Sequence, residues 1–169
     1  MINQQLDPND TTTIARLKKM NVFARLDDIH MAEIIKLAKL RKYETEELII
    51  SEGAYDQMLY FLITGEISIV HEGVEVGRIS RLGEVFGEMG IIDGSPRSAS
   101  IKALKPTLCL AIEAAFLDRL SGAEKVKAEA IFFRGFAEIL AHRLRDCLGR
   151  VLVLENELGA SRKQTKGGA

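Results

Sequence analysis

The chain has no tryptophan, three prolines, two cysteines and three histidines among 169 residues, and each shortage removes a class of explanation. Cys109 and Cys147 stand far apart and belong to no Cys-x-x-Cys or Cys/His pair, so neither a disulfide scaffold nor a thiolate metal centre is expected. Cys109 sits in an apolar run and reads as a small core residue. His30, His71 and His142 fall on separate segments, which leaves a catalytic metal without clustered ligands. No Gly-x-Ser-x-Gly elbow and no Gly-Lys-Ser/Thr phosphate loop is present, so the chain is not expected to be an enzyme. The formal charge of -1 lacks the basic excess that displaces counterions from nucleic acid, and no nucleic-acid partner is expected. No apolar run approaches the ~20 residues of a membrane span. The opening MINQQLDPND has no basic, apolar and small-residue succession of a secretory signal. A cytoplasmic location, away from membranes, is the expectation.

What remains is ordinary globular usage, 47% hydrophobic and 28% charged, enough for one domain with a helical extension. Asp10-Thr11-Thr12-Thr13 has N-cap chemistry for a helix carrying Ile14, Leu17 and Val22. A second helix is expected from Asp27-Asp28, with Ile29, Ile34, Leu37 and Ala38 on its apolar face and Arg41 at its polar end. From Lys42 to Glu113 the pattern changes to short apolar or alternating runs: Leu48 to Ile50, Met58 to Thr64, Ile67 to His71, Val74 to Ile79, Ala99 to Leu104 and Leu108 to Ile112. Glycines punctuate them, with turns expected at Thr64-Gly65-Glu66 and Glu72-Gly73. Many short strands at this spacing read as an antiparallel sandwich or barrel.

After Glu113 the period becomes helical, first over Ala114 to Leu120 and then from Ala123 to Leu158. Phe133, Ala137, Leu140, Leu144, Cys147, Val151, Leu154 and Leu158 step by alternating four and three residues, a coiled-coil seam. With Ala137, Leu144, Val151 and Leu158 at the a positions, Arg150 at g faces Glu155 at the following e of a parallel partner, so a homodimer through this helix is expected. Gly135 and Gly149 each weaken a helix interior by about 0.5–1 kcal/mol and mark either hinges or points of close packing.

The most informative run is VFGEMGIIDGSPRSAS, residues 85 to 100, which sets Glu88 and Arg97 at the two ends of a short Gly-flanked turn. Gly87 lets backbone approach a ligand closely. The amides opening the turn at Glu88 and Met89 are orphan donors at the positive end of a dipole. Arg97 presents a planar fork that fits phosphate oxygens, and Ser98 adds a hydroxyl. A carboxylate repels such an anion unless it turns to a hydroxyl of the same molecule, so the run describes a site for a small anion that also carries hydroxyls.

The same run resembles the phosphate-binding cassette of cyclic nucleotide-binding domains, in which Phe-Gly-Glu leads into a short apolar helical turn and a loop closed by Pro-Arg, two small residues and Ser or Thr. Phe86-Gly87-Glu88-Met89-Gly90-Ile91 fills the first half and Pro96-Arg97-Ser98-Ala99-Ser100 the second, and the similarity extends from residue 14 to 158. The resemblance implies an α+β fold: an antiparallel, jelly-roll-like β-roll of about eight strands with N-terminal helices, a short cassette helix and a long C-terminal helix. It implies that Glu88 holds the ribose 2′-hydroxyl, that Arg97 holds the cyclic phosphate, and that the backbone of Gly87, Met89, Ser98 and Ala99 completes the cradle. It also implies that the Leu140 to Leu154 stretch closes over the purine or shifts its dimer contacts, signalling to a downstream effector protein or domain.

Where catabolite activator proteins place a Thr-Ser pair against adenine, this chain has Cys147-Leu148, and Val76 is a further candidate base contact. Ser98, just after the arginine, leans toward cyclic AMP, with cyclic GMP the alternative; no separate cofactor is implied. The helix-turn-helix that follows the dimer helix in catabolite activators has no counterpart in SRKQTKGGA, which reads as a polar tail or linker. Both a free-standing sensor and the regulatory piece of a larger effector fit, and so does a dimerisation module with a degenerate pocket. The expected layout is a polar segment 1–13, a ligand-binding β-roll with its helices 14–120, a lid and dimer helix 121–158, and a tail 159–169.

Overall fold

The computed structural model describes residues 2–6, 15, 17–20, 23–25 and 28–166. The expected cap at Asp10 to Thr13, with Ile14 and Val22, lies outside the described residues, whereas Leu17, Met20 and Phe23 lie within them and are buried. The chain divides into two compact units, Met1–Phe133 and Arg134–Ala169.

In the first unit, helix α1 (Asp28–Leu37) starts at the expected acid and buries Met31, Ile34 and Ile35 at helical spacing. It does not reach Arg41. The Ala38 amide still bonds the Ile34 carbonyl at 2.8 Å, and the chain then extends into strand β2 (Lys39–Tyr43). Lys-Leu-Arg-Lys-Tyr therefore alternates with period two, which places Arg41 and Tyr43 on the same face. Strand β1 (Ile2–Gln5), inside the segment read as polar, pairs antiparallel with β2, Ile2 opposite Lys42. Ladder pairing satisfies backbone groups whatever the side chains, so a polar segment can form an edge strand.

The remaining strands are β3 (Leu48–Ile50), β4 (Met58–Thr64), β5 (Ile67–His71), β6 (Val74–Ile79), β7 (Val85–Phe86), β8 (Ser100–Ala103) and β9 (Thr107–Glu113). A five-stranded sheet runs β1-β2-β9-β4-β7 and a four-stranded sheet runs β3-β8-β5-β6, with every pairing antiparallel. This is the α+β, β-roll architecture expected from the sequence. β4 and β9 are central and covered on both faces, which is why each reads as a nearly continuous apolar run. One face sends Tyr60, Leu62, Cys109 and Ala111 into the core between the sheets, with Tyr43, Phe86, Ile50, Ile67, Ile79 and Ile101. The other buries Phe61 against Phe23, ring centroids 4.5 Å apart, and Phe23 in turn meets Phe132 at 6.5 Å. Each fully buried side chain of this size stabilises the fold by about 1.5–3 kcal/mol relative to exposure. Burial also pushes the Cys109 thiol up to about 12, as suits a core residue.

The β5–β6 turn falls at Glu72-Gly73, both with positive φ (48° and 78°), the two-residue geometry whose twist matches flanking strands. Glu113 leads into a 3-10 turn, Ala114–Arg119. Helix α3 (Gly122–Lys166) follows and continues past Leu158 through residues expected to be tail. In the second unit Leu144, Leu148, Val151, Leu152, Val153 and Leu154 are exposed. Among the described residues of this unit a Cβ at Gly149 would meet nothing within 4 Å. Among the described residues no helix is long and apolar enough to cross a membrane.

Candidate functional site

The cassette begins where β7 ends. Gly87 has φ +84°, and a Cβ there would lie 2.8 Å from Arg97 Nη1 and 2.9 Å from the Met58 carbonyl oxygen, so only glycine fits between strand and guanidinium. Glu88 stands at the N-cap of helix α2 (Met89–Asp93), 1% exposed, and its carbonyl accepts from the Ile91 and Ile92 amides at 3.0 and 3.1 Å. Gly94, in the left-handed region at φ 70°, ends the helix, and Asp93 Oδ1 accepts from the Ser95 amide at 2.9 Å to form the loop that returns to Arg97.

Arg97 is held from both directions. Its amide donates to the Ala54 carbonyl at 2.9 Å and its carbonyl accepts from Gly53 at 2.8 Å, tying the end of the cassette to the loop before β4. Its side chain, 3% exposed, forks onto the Asp56 carboxylate through Nε (3.0 Å to Oδ2) and Nη2. Nη1 donates to the Gly87 carbonyl at 2.5 Å and Nη2 to the Met58 carbonyl at 2.6 Å. Among the described residues these bonds use four of the five N–H groups of the guanidinium and leave one on Nη1, beside Gly87. Partial burial works to raise the Asp56 carboxyl, but the Arg97 hydrogen bonds, the Met58 amide and the charges of Arg97 and Arg41 outweigh it and hold the group below the usual carboxylate range.

The structure brings Gly87, Glu88, Met89, Arg97, Ser98 and Ala99 into one cassette. Ser98 is exposed, and its hydroxyl donates to Met89 Sδ at 3.7 Å. Val76 lies apart from the cassette in sequence, on edge strand β6, where the pairing register with β5 shifts between Gly77 and Glu75. It sits at that bulge, 42% exposed, and a bulge re-aims the side chain it carries. Cys147 and Leu148 belong to the second unit, both exposed. Sequence reasoning missed Asp56. A buried guanidinium demands a counter-charge, but the one it found lies 41 residues away in a polar loop with no motif of its own.

Compared with known proteins, residues 40–123 match the cyclic nucleotide-binding domain. This segment belongs to that family. The match begins in β2 and ends in the first turn of α3, so it takes in the roll and the whole cassette. Over 106 residues, 63% of this chain, it is 31% identical to a cGMP-dependent protein kinase of Eimeria tenella, and it spans 10% of that protein. It is 32% identical over 138 residues to Glutaminase 2 of Bradyrhizobium diazoefficiens, 80% of this chain and 21% of that one. The chain therefore spans between a tenth and about a fifth of these relatives. A crystal structure of a cyclic nucleotide-binding domain from Methylobacillus flagellatus shares the fold, with a TM-score of 0.74, 22% identity, and coverage of 89% of this chain and 87% of that one.

Proposed function

We propose that the chain is a non-catalytic regulatory module that binds a cyclic nucleotide in its β-roll, cyclic AMP with cyclic GMP as the alternative. The observation that carries this reading is the pairing of a fixed, buried guanidinium, with one N–H left on Nη1, with a buried carboxylate on the residue after Gly87. A ligand that joins one negative phosphate to a sugar hydroxyl uses both, Arg97 as cation and Glu88 as acceptor. The backbone of Gly87, Met89, Ser98 and Ala99 supplies the rest of the cradle, and Val76, Cys147 and Leu148 are the candidate contacts for the base. The ligand is cargo that shifts a conformational equilibrium, and it does so only to the extent that it binds one state better than the other.

The output of that shift is the long helix. Its exposed apolar residues from Leu144 to Leu154 support either closure over the base or pairing with a second copy, and Arg150 and Glu155 suit a parallel homodimer. A downstream effector protein or domain then receives the signal in the cytoplasm. The competing reading is a dimerisation module with a silent pocket. Thermal shift with cyclic AMP, cyclic GMP and AMP separates the two: a ligand at about 100 times its Kd stabilises by about 2.7 kcal/mol. Arg97→Gln is expected to weaken cyclic nucleotide binding by about 2–5 kcal/mol. An unchanged melting temperature with both cyclic nucleotides would overturn the proposal.

A further inference from the structure

The roll contains a second guanidinium that the cassette does not use. Arg41 lies half-buried on the same face of β2 as Tyr43, a residue of the inter-sheet core. Its Nη1 donates to Tyr60 Oη at 3.0 Å, and its Cζ lies 5.8 Å from the Tyr60 ring centroid. Among the described residues its Nε–H is buried with no acceptor in hydrogen-bond geometry, and the Tyr43 hydroxyl, on a side chain 2% exposed, lies close enough to Arg41 and Tyr60 to interact with both but forms no well-aligned bond with either. Among the described residues no carboxylate forms an ion pair with Arg41. A buried donor without a well-formed bond to an acceptor costs free energy, and two of them at a guanidinium that has no carboxylate in direct contact describe a place prepared for a negatively charged oxygen.

Strand register carries this group to the cassette. Tyr60 pairs with Phe86 and stacks on its ring at 5.1 Å, and the next residue, Gly87, gives its carbonyl to Arg97. Met58, on the same face of β4 as Tyr60, gives its carbonyl to the same guanidinium. The positive charge of Arg41 also reaches Asp56 and helps keep that carboxyl ionised.

We propose that Arg41 and Tyr43, with Tyr60 fixing the guanidinium, form a second anion contact on the inner wall of the roll, which takes one exocyclic oxygen of the ligand's phosphate while Arg97 takes the other. This rests on the cyclic nucleotide reading. A cyclic phosphodiester has two exocyclic oxygens sharing one charge, so two cations on different strands bind it without competing for the same atom.

Calorimetry with cyclic AMP and its two phosphorothioate diastereomers, each with sulfur at one exocyclic position, tests the assignment. Tyr43→Phe should lower affinity about 10–150-fold, the scale of one hydrogen bond to a charged group. The melting temperature of the ligand-free variant should stay level or rise, because a buried hydroxyl without a well-formed bond has been removed. Arg41→Gln should weaken cyclic AMP about tenfold or more and shrink the affinity difference between the diastereomers, with partial recovery in Arg41→Lys. Tyr43→Phe that binds normally but melts lower would reveal a bridging water and overturn the proposal. So would Arg41→Gln that weakens both diastereomers alike. Wild-type protein that binds no cyclic nucleotide overturns the functional reading and this contact together, whereas normal wild-type binding with unaffected variants sinks the contact alone. Tyr43→Phe keeps the test decisive if Arg41→Gln does not fold.

Discussion

Asp56→Asn is the most revealing single change, because it separates two roles a carboxylate can have beside a ligand-binding arginine. Asp56 could compete with the phosphate for Arg97, or it could hold the guanidinium where the phosphate needs it. Geometry favours the second. The carboxylate takes Nε and one hydrogen of Nη2, while the uncommitted N–H is on Nη1, next to Gly87, so an incoming oxygen does not have to displace Asp56.

The magnitude follows from burial. Removing one partner of a fully buried pair costs about 3–5 kcal/mol. Here Asp56 is 37% exposed and Arg97 keeps two carbonyl acceptors, so screening by water and the surviving bonds reduce the expected loss to about 1–3 kcal/mol. For a chain of this size about 2–4 °C of melting temperature goes with each kcal/mol, so the ligand-free variant should melt several degrees lower. Affinity should fall about 3–10-fold, since the guanidinium keeps its charge but loses its orientation. Scanning calorimetry without ligand and titration calorimetry with cyclic AMP measure the two quantities. Tighter binding in Asp56→Asn would refute the reasoning, because it would make Asp56 a competitor. An unchanged melting temperature would equally show that the pair stabilises nothing.

Gly87→Ala forces an L side chain into φ +84° and against Arg97 Nη1 at 2.8 Å; a cost of about 1–2 kcal/mol from the backbone alone, plus displacement of the guanidinium, should lower both melting temperature and affinity for cyclic AMP. Normal binding by this variant would show that the cassette tolerates a Cβ. The folded carboxyl of Asp56 lies below its unfolded value of about 3.9, so its stabilising contribution is present above that pH and is lost as pH falls through the folded value. Melting curves of wild type and Asp56→Asn should therefore converge on acidification, and a gap that persisted at the acid end would contradict the assignment. If α3 pairs with a second copy in parallel along Leu140, Leu144, Cys147, Val151 and Leu154, the two exposed Cys147 thiols meet, and mild oxidation should give a covalent dimer that is absent in Cys147→Ser. Exclusively monomeric chains on a non-reducing gel would count against parallel pairing.

What could be read from the sequence was encoded within a few residues of itself. The runs Met58–Thr64, Ile67–His71 and Val74–Ile79 are strands over their expected bounds, because turn residues stop each one. The cassette helix was visible for the same reason, bracketed by Gly87 and Gly94. Lys-Leu-Arg-Lys-Tyr misled because lysine, leucine and arginine are good helix formers, and the sheet that overrides that preference comes from Thr107 to Ala111, far along the chain. β7 has only two residues, too few for any period to register. The segment expected to be a polar tail, 159–169, is helical as far as Lys166, because polar residues without proline do not by themselves stop a helix.

The site divides along the same line. Glu88, Gly87 and Arg97 are legible because they share one short segment, whereas Asp56 and Arg41 reach the cassette only through sheet closure. The need for a counter-charge could still have been stated in advance: an arginine that closes a buried phosphate site cannot remain alone in a low-dielectric wall. Of the acids in the segment ahead of β4, which are Glu44, Glu46, Glu47, Glu52 and Asp56, only the last stands two residues before an apolar strand whose first carbonyl also faces the arginine. A short side chain at that spot reaches the fork while its own backbone stays on the surface. That combination makes Asp56 the partner, and it is a rule of position that no local motif records.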